Sequence, residues 1–327
     1  MVNLATKYMG LDVKNPLIIG SSGLTNSLEN IETFAKLGAG AIILKSLFEE
    51  QILHEASHTL KQDSSTNLYP EAEDYIRNYT KQNSVGQYLD LIKSAKKRVD
   101  IPIIASINCN SASEWTSFAK SIEAAGADGL ELNIFVLPSD INRSSVQNEQ
   151  VYFDIINKVK AETHLPISVK LSYHFSSLAS TLEKLSWTGI KSLTLFNRFF
   201  SPDMDIHKLT VKPSFVFSQP ADLGISLRWI ALLSKRVRCE LSASTGVHNG
   251  EALIKQLLAG AQTVQIASVL YKEGFERILE MIETLSKWMD EKGFADLESF
   301  RGLLSVSKDD SGAYERVQFM KHFSDIE

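Results

Sequence analysis

The chain has 327 residues, 44% of them hydrophobic, and its 34 basic and 39 acidic side chains leave a net charge of −5; that is enough apolar material for one large α/β domain or two smaller ones. The charges are spread without a basic block, no run reaches the length of a membrane span, and the N-terminal MVNLATKYMG has neither a basic n-region nor an apolar h-region, so neither nucleic acid nor membrane is an expected partner and a soluble, cytoplasmic protein is expected. Two cysteines, Cys109 and Cys239, make neither a disulfide framework nor a CxxC pair, and of the seven histidines only His54 and His58 stand at HxxxH spacing, so no structural metal is expected.

The first strand is expected in NPLIIGSS (Asn15–Ser22), followed by a helix over Ser27–Leu37 with Leu28, Ile31, Phe34 and Ala35 on one face. KLGAGAIILK (Lys36–Lys45) holds the second strand. A long polar connection, Phe48–Ser84, then ends in an aromatic, helix-like piece at Tyr69–Tyr79. Helix Val85–Arg98 leads to the strand IPIIASIN (Ile101–Asn108). The pattern Ser111-x-x-Glu114 predicts a capping box, with Trp115, Phe118, Ala119 and Ile122 behind it. The strand in AAGADGLELN (Ala124–Asn133), the helix Asn148–Glu162, the strand in LPISVKLS (Leu165–Ser172), the helix Ser177–Leu185 and the strand in SWTGIKSLTLFN (Ser186–Asn197) come next. A second long connection, Arg198–Asp222, carries Pro202, Pro213, Pro220 and a strand-like run at Ser214–Ser218. Helix Leu223–Lys235, strand Cys239–Ser244, helix Gly250–Leu258, the strand in LAGAQTVQIAS (Leu258–Ser268) and helix Phe275–Lys292 complete the chain.

Four of these segments repeat one pattern, a helix end, a glycine and a buried strand, with Gly38, Gly126, Gly189 and Gly260 where each helix must stop. The four alternate with the other four strands, three of which open on proline, which a strand entry tolerates. The runs read as nearly continuous apolar stretches, as parallel strands buried on both faces require. The expected fold class is α/β, a (β/α)8 TIM barrel with rim insertions after strands 2 and 6, residues 1–327 forming one domain. A doubly wound open sheet is the alternative; it leaves the fourfold alternation unexplained. Both insertions leave the carboxyl ends of their strands, where lids and binding loops sit, though an ornamental or dimer-forming role fits them equally.

Those strand ends carry Ser21-Ser22-Gly23, Lys45-Ser46, Asn108, Asn133, Lys170, Asn197, Ser244-Thr245-Gly246 and Ala267-Ser268. Two lysines and three amides are costly to bury unpaired. Any one of them alone could be a strand that has reached water; converging on one rim, they suit a polar small-molecule site. Amides read ring N–H and C=O groups, a lysine suits the N1/O2 edge of a reduced flavin, and the small residues of the last two turns let backbone N–H groups approach a phosphate.

The motifs LDVKNPLIIGSSG (Leu11–Gly23), IILKS (Ile42–Ser46), GADGLELN (Gly126–Asn133), SVKLS (Ser168–Ser172), LTLFN (Leu193–Asn197), TGVHNGEALIKQLLAGAQTVQIAS (Thr245–Ser268) and EKGFADLESFRG (Glu291–Gly302) make the chain resemble the class 1 dihydroorotate dehydrogenases over nearly its full length. The resemblance implies FMN in the barrel mouth and conversion of dihydroorotate to orotate, a step of pyrimidine biosynthesis. Ser21, Ser22 and Gly23 would lie along the flavin ring. Lys170 would meet its N1/O2 edge, with Ser46 and Asn108 nearby. Ser244, Thr245, Gly246, Ala267 and Ser268 would hold its phosphate. Lys45 would reach flavin and substrate, and Asn133 and Asn197 would bind a small, pyrimidine-like cyclic amide. A homodimer is implied as well.

The chain departs from the family where the catalytic base belongs. A pattern like N-x-S-C-P-N becomes Asn133-Ile134-Phe135-Val136-Leu137-Pro138-Ser139, which puts Val136, or Leu137 with one residue inserted, at the base position. Neither takes a proton. Cys109, after the third strand, and His174, with Tyr173 after Lys170, are the substitutes within reach of the rim. The lid pattern fades to Thr66–Glu71, and Thr245 and Ala267 add β-carbons to the phosphate turns. The leading expectation is an FMN-dependent oxidoreductase acting on CH–CH bonds, with an altered substrate or weak activity. A non-catalytic barrel that holds a flavin or phosphate ligand is the first alternative, and a Schiff-base lyase using Lys170 the second. The chain has no cysteine cluster that would carry electrons to NAD through an iron–sulfur centre.

Overall fold

Eight of the apolar segments pair edge to edge in parallel and close on themselves. The computed structural model of the chain describes residues 2–52, 85–112, 114–198, 201–214, 216–306 and 312–315. A hairpin of β1 (Thr6–Tyr8) and β2 (Leu11–Val13) precedes the barrel strands β3 (Leu17–Ile19) and β4 (Ala41–Ile43). A two-residue β5 (Leu47–Phe48) extends the rim. Then come β6 (Ile103–Cys109), β7 (Gly129–Ile134), β8 (Ile167–Leu171), β9 (Ser192–Leu195), a second hairpin of β10 (Ser201–Asp205) and β11 (Thr210–Ser214), and finally β12 (Glu240–Ser244) and β13 (Thr263–Ile266). The closed order is β3-β4-β6-β7-β8-β9-β12-β13, with β13 returning to β3 through Val264↔Leu17. This is the expected (β/α)8 barrel. Gly38, Gly126, Gly189 and Gly260 all take left-handed φ, between 86° and 110°, which turns each helix end into the next strand.

The strand pattern differs from the expected continuous apolar runs. β3 (LII) and β4 (AII) fit it, but from β6 onward the strands alternate. Ile107, Leu132, Val169 and Leu193 join the large core under the helices. The residues between them, Ser106, Glu131, Ser168, Thr194, Ser242 and Gln265, are polar and at most 2% exposed. Period-two alternation places these on the other face, inside the barrel. The interior is therefore a hydrogen-bonded polar layer, where branched apolar side chains usually fill such barrels.

The β1–β2 hairpin was not foreseen. It packs Tyr8 and Met9 against Ile18, Ala41, Ile43 and Ile104 at the amino ends of the strands. Its turn is pinned by the Glu240 carboxylate, which accepts from the backbone N–H groups of Met9 (2.6 Å) and Gly10 (3.1 Å). The EKGFADLESFRG motif closes the same end: the Arg301 guanidinium donates to Gln262 Oε1 (2.8 Å) and to Thr6 Oγ1 (3.0 Å).

Helices Leu28–Lys36, Val85–Arg98, Ser145–Glu162, Leu178–Ser186, Leu223–Leu233 and Gly250–Ala259 lie close to their expected bounds. Ser27 and Asn249 cap two of them, each such cap contributing about 1 kcal/mol. The Glu114 side chain of the capping box expected at Ser111 lies outside the described residues; Ser111 Oγ donates to Glu49 Oε1 (3.0 Å), and Ser144 with Gln147 forms a box before Ser145–Glu162. After β13 a short helix, Ser268–Glu273, precedes Arg277–Lys292, so the last turn leads directly into Ser268. In the second insertion the strands are β10 and β11, ahead of the expected run at Ser214–Ser218. The expected helical piece Tyr69–Tyr79 and the lid motif Thr66–Glu71 lie outside the described residues. Among the described residues no helix is long and apolar enough to cross a membrane, and no group of three or more metal-ligating side chains gathers.

Candidate active site at the carboxyl ends of the strands

Each rim residue is placed by the strand it ends. Gly20 N–H continues β3 by donating to Ile266 O (2.8 Å), and Asn197 N–H continues β9 by donating to Leu171 O (2.9 Å). A cavity of about 260 Å³ opens between these ends. Ser21, Ser22, Lys170, Asn197, Ser244, Thr245, Gly246, Ala267 and Ser268 line it, so nine of the expected residues share one cleft. Arg198, Ser218 and Tyr271 line it too and were not foreseen. A second cavity of about 340 Å³ shares Asn197, Arg198, Ser244 and Thr245 with the first.

Gly23 sits just beyond the cleft, against Tyr271, whose hydroxyl accepts from Leu24 N–H (3.0 Å). Ser46 joins the cleft wall by hydrogen bonds, with its Oγ 3.0 Å from Ser21 Oγ and 2.8 Å from Ser106 Oγ. Asn108, Asn133 and Lys170 stand in one register row across β6, β7 and β8. Asn133 is buried, and its Oδ1 has no hydrogen-bond partner among the described residues.

Lys170 is 6% exposed. Its ammonium donates to Gln265 Oε1 (3.2 Å) and lies 3.9 Å from Glu131 Oε1. Gln265 Nε2 in turn reaches Glu131 Oε2 (2.9 Å), Thr194 Oγ1 (3.1 Å) and Tyr8 Oη (3.2 Å). Burial, with the Glu131 carboxylate second, raises the Tyr8 phenol well above its ordinary pKa, so it stays a neutral hydroxyl. Period-two reading of GLELN and TVQIAS would have found Glu131 and Gln265 as inward neighbours of the rim.

The remaining expected residues lie apart. Lys45 lines a different cavity, of about 380 Å³, with Leu47, Gln51, Tyr88 and Asp90. Val136 is buried while Leu137 is 53% exposed. Val136 lines a fourth cavity, of about 470 Å³, with Tyr152, Tyr173 and His174. Cys109 is buried on the face of β6 opposite Asn108, within the outer core. Burial first, and then the Glu49 and Glu50 carboxylates, push its thiol well above the ordinary range, which suppresses the thiolate a base would need.

At the other end of the cleft, Ser218 meets both turns. Its N–H donates to Ser268 Oγ (3.0 Å), its carbonyl accepts from Lys272 Nζ (3.1 Å), and its Oγ lies 2.8 Å from His248 Nε2.

Comparison with known proteins identifies the family. The catalytic subunit of dihydroorotate dehydrogenase B (NAD(+)) from Thermoplasma volcanium is 26% identical over 318 residues, 93% of this chain and 99% of that protein. The same subunit from Methanothermobacter thermautotrophicus is 25% identical over 319 residues, 92% of this chain and 98% of that protein. The Bacillus cereus subunit is 24% identical over 315 residues, 92% and 97% of the two chains. Residues 3–289 match the family model for dihydroorotate dehydrogenase, which takes in all eight barrel strands and every rim residue described above, and the chain belongs to that family.

Proposed function

We propose that the chain is an FMN-dependent oxidoreductase that acts on a small cyclic amide of the dihydroorotate type. The cleft that brings Lys170, Asn197, Ser21 and Ser22 together with Gly246, Ala267 and Ser268 carries this reading. The family's members are FMN-dependent flavoproteins. The residues present suit that group. The buried Asn133 Oδ1 has no hydrogen-bond partner among the described residues and stands in the register row of Lys170, which supplies a cation to the cleft beside Asn197, Ser21 and Ser22.

When bound, FMN supplies a two-electron hydride acceptor. The chain's own residues orient the ring and the substrate. Lys170 presents its ammonium, held by Gln265, and favours an anionic partner at its tip. Asn133 and Asn197 offer paired donors and acceptors to a cyclic amide. Ser268 and Ser218 frame the phosphate end. No proton acceptor stands at Val136, so proton removal from dihydroorotate is slow, or the natural substrate needs no base there. The relatives named above are catalytic subunits of NAD(+)-linked enzymes. Cys109 and Cys239 are too few for a cluster with four thiolate ligands, so electrons leave this chain to a partner protein or a soluble acceptor.

The test is the absorbance of the purified protein, before and after incubation with FMN, followed by anaerobic dihydroorotate. A yellow protein that bleaches supports the assignment. A yellow protein inert to dihydroorotate keeps the cofactor and redirects the substrate. A colourless protein that takes up no FMN overturns the proposal.

A further inference from the structure

Within the barrel, Glu131 is a buried carboxylate that the chemistry above does not use. It is 0% exposed, and its Oε1 has no hydrogen-bond partner among the described residues. A neutral amide would satisfy Gln265 and Thr194 equally well, and an apolar filling would suit a barrel core better. Burying a carboxylate with one oxygen unbonded is costly unless a cation stands near. That cation is Lys170, 3.9 Å from Oε1. A second link runs through Gln265, whose Oε1 takes a hydrogen bond from Lys170 and whose Nε2 gives one to Glu131 Oε2 (3.2 and 2.9 Å).

We propose that Glu131 is a positioning residue: from inside the barrel it fixes the place of the Lys170 ammonium and offsets part of its charge, and so sets the reduction potential of the bound flavin. This rests on the FMN reading above. A bare lysine beside the ring favours the anionic reduced form; a carboxylate behind it weakens that preference. The charge of Glu131 is thus a brake on the potential, separate from its part in packing.

The experiment measures the midpoint potential of bound FMN in the wild-type chain, Glu131→Gln, Lys170→Met and the double variant, with Tyr8→Phe as a neutral change in the same network. Glu131→Gln is expected to raise the ratio of reduced to oxidised flavin affinity about tenfold, a shift of about +30 mV for a two-electron couple. Lys170→Met is expected to lower it. In the Lys170→Met background the Glu131→Gln effect should shrink to about twofold or less, since distinct sites add and coupled ones do not. Tyr8→Phe should leave the potential unmoved. An unchanged potential in Glu131→Gln, or the same shift with and without Lys170, overturns the inference, because a purely structural role moves the melting temperature and not this coupling. Should Glu131→Gln not fold, Glu131→Asp, which draws the charge back, is expected to give a smaller rise; no rise, or a fall, overturns the inference. A wild-type chain that binds no FMN defeats the flavin reading and this inference together, whereas a flavin-loaded chain with an unmoved potential defeats this one alone.

Discussion

Ser218 Oγ lies 2.8 Å from His248 Nε2, and this buried contact ties the insertion after β9 to the turn after β12. Burial, with the Lys272 ammonium second, holds the His248 pKa below its ordinary 6.5; the Glu273 and Asp222 carboxylates and the Ser218 hydrogen bond pull the other way and do not prevail. The imidazole is therefore neutral at pH 7. Below pH 6.5 the unfolded chain gains a proton that the folded chain resists. The contribution of this site is present above that pH and is lost as pH falls through the depressed folded value. We expect His248→Gln to cost about 1–2 kcal/mol at pH 7, the worth of a buried hydrogen bond. Urea unfolding of both chains from pH 7.5 to 5 checks it: the gap between them should narrow as pH falls. A constant gap would mean that His248 does not titrate in this range.

Thr245 takes φ of 76°, a conformation β-branched residues avoid, and its hydroxyl donates to Phe196 O (3.1 Å). Such strain costs about 1–3 kcal/mol. Thr245→Gly relieves it but forfeits a hydrogen bond of about 1 kcal/mol and loosens the unfolded chain by about as much. Net stability should move by less than about 1 kcal/mol. The same change removes a side chain from the cleft wall, so FMN should bind several-fold more tightly, as read by quenching of its fluorescence on titration.

Gly246 has no such latitude. Its φ is 81°, and a β-carbon there would stand 2.1 Å from the backbone nitrogen of Leu223. Gly246→Ala should cost at least about 2 kcal/mol, the sum of left-handed strain and overlap with backbone that cannot yield. Gly224→Ala, one residue beyond that contact, meets nothing within 4 Å and should stabilise helix Leu223–Leu233 by up to about 1 kcal/mol. Chemical unfolding of the two variants side by side separates a local clash from a general intolerance of alanine.

Much of this was legible in the sequence because the signals are local. Proline at strand entries, a glycine after each repeated helix and small residues after the last two strands each act within a few residues. They located the eight barrel strands and nine residues of the cleft. What escaped depends on contacts far apart in the chain. Alternation within each strand would place Glu131 and Gln265 inside the barrel, but their contact, across 134 positions, is written in neither segment. Ser218 and His248 meet only once the insertion has folded back. Lys45 follows a barrel strand, as Lys170 closes one, yet it lines the cavity beside Tyr88, in the stretch between β4 and the rim extension β5. The β1–β2 hairpin carries three-residue strands, too short for their periodicity to be read.

Val136 is the position where the chemistry is most exposed to test. Its side chain is buried and can accept no proton, while the neighbouring Leu137 is 53% exposed. A positioned base contributes about 10²–10⁴-fold. Anaerobic reduction of the bound flavin by dihydroorotate should therefore be slow in the chain as it stands. Val136→Cys should speed it about 10²-fold or more and bring in a rise with pH near that of a thiol, about 8.5. Leu137→Cys should not. A gain in Leu137→Cys alone would move the base position one residue along the loop. No gain in either would overturn the placing of the base position on this loop, where Val136 lines a cavity with Tyr152, Tyr173 and His174.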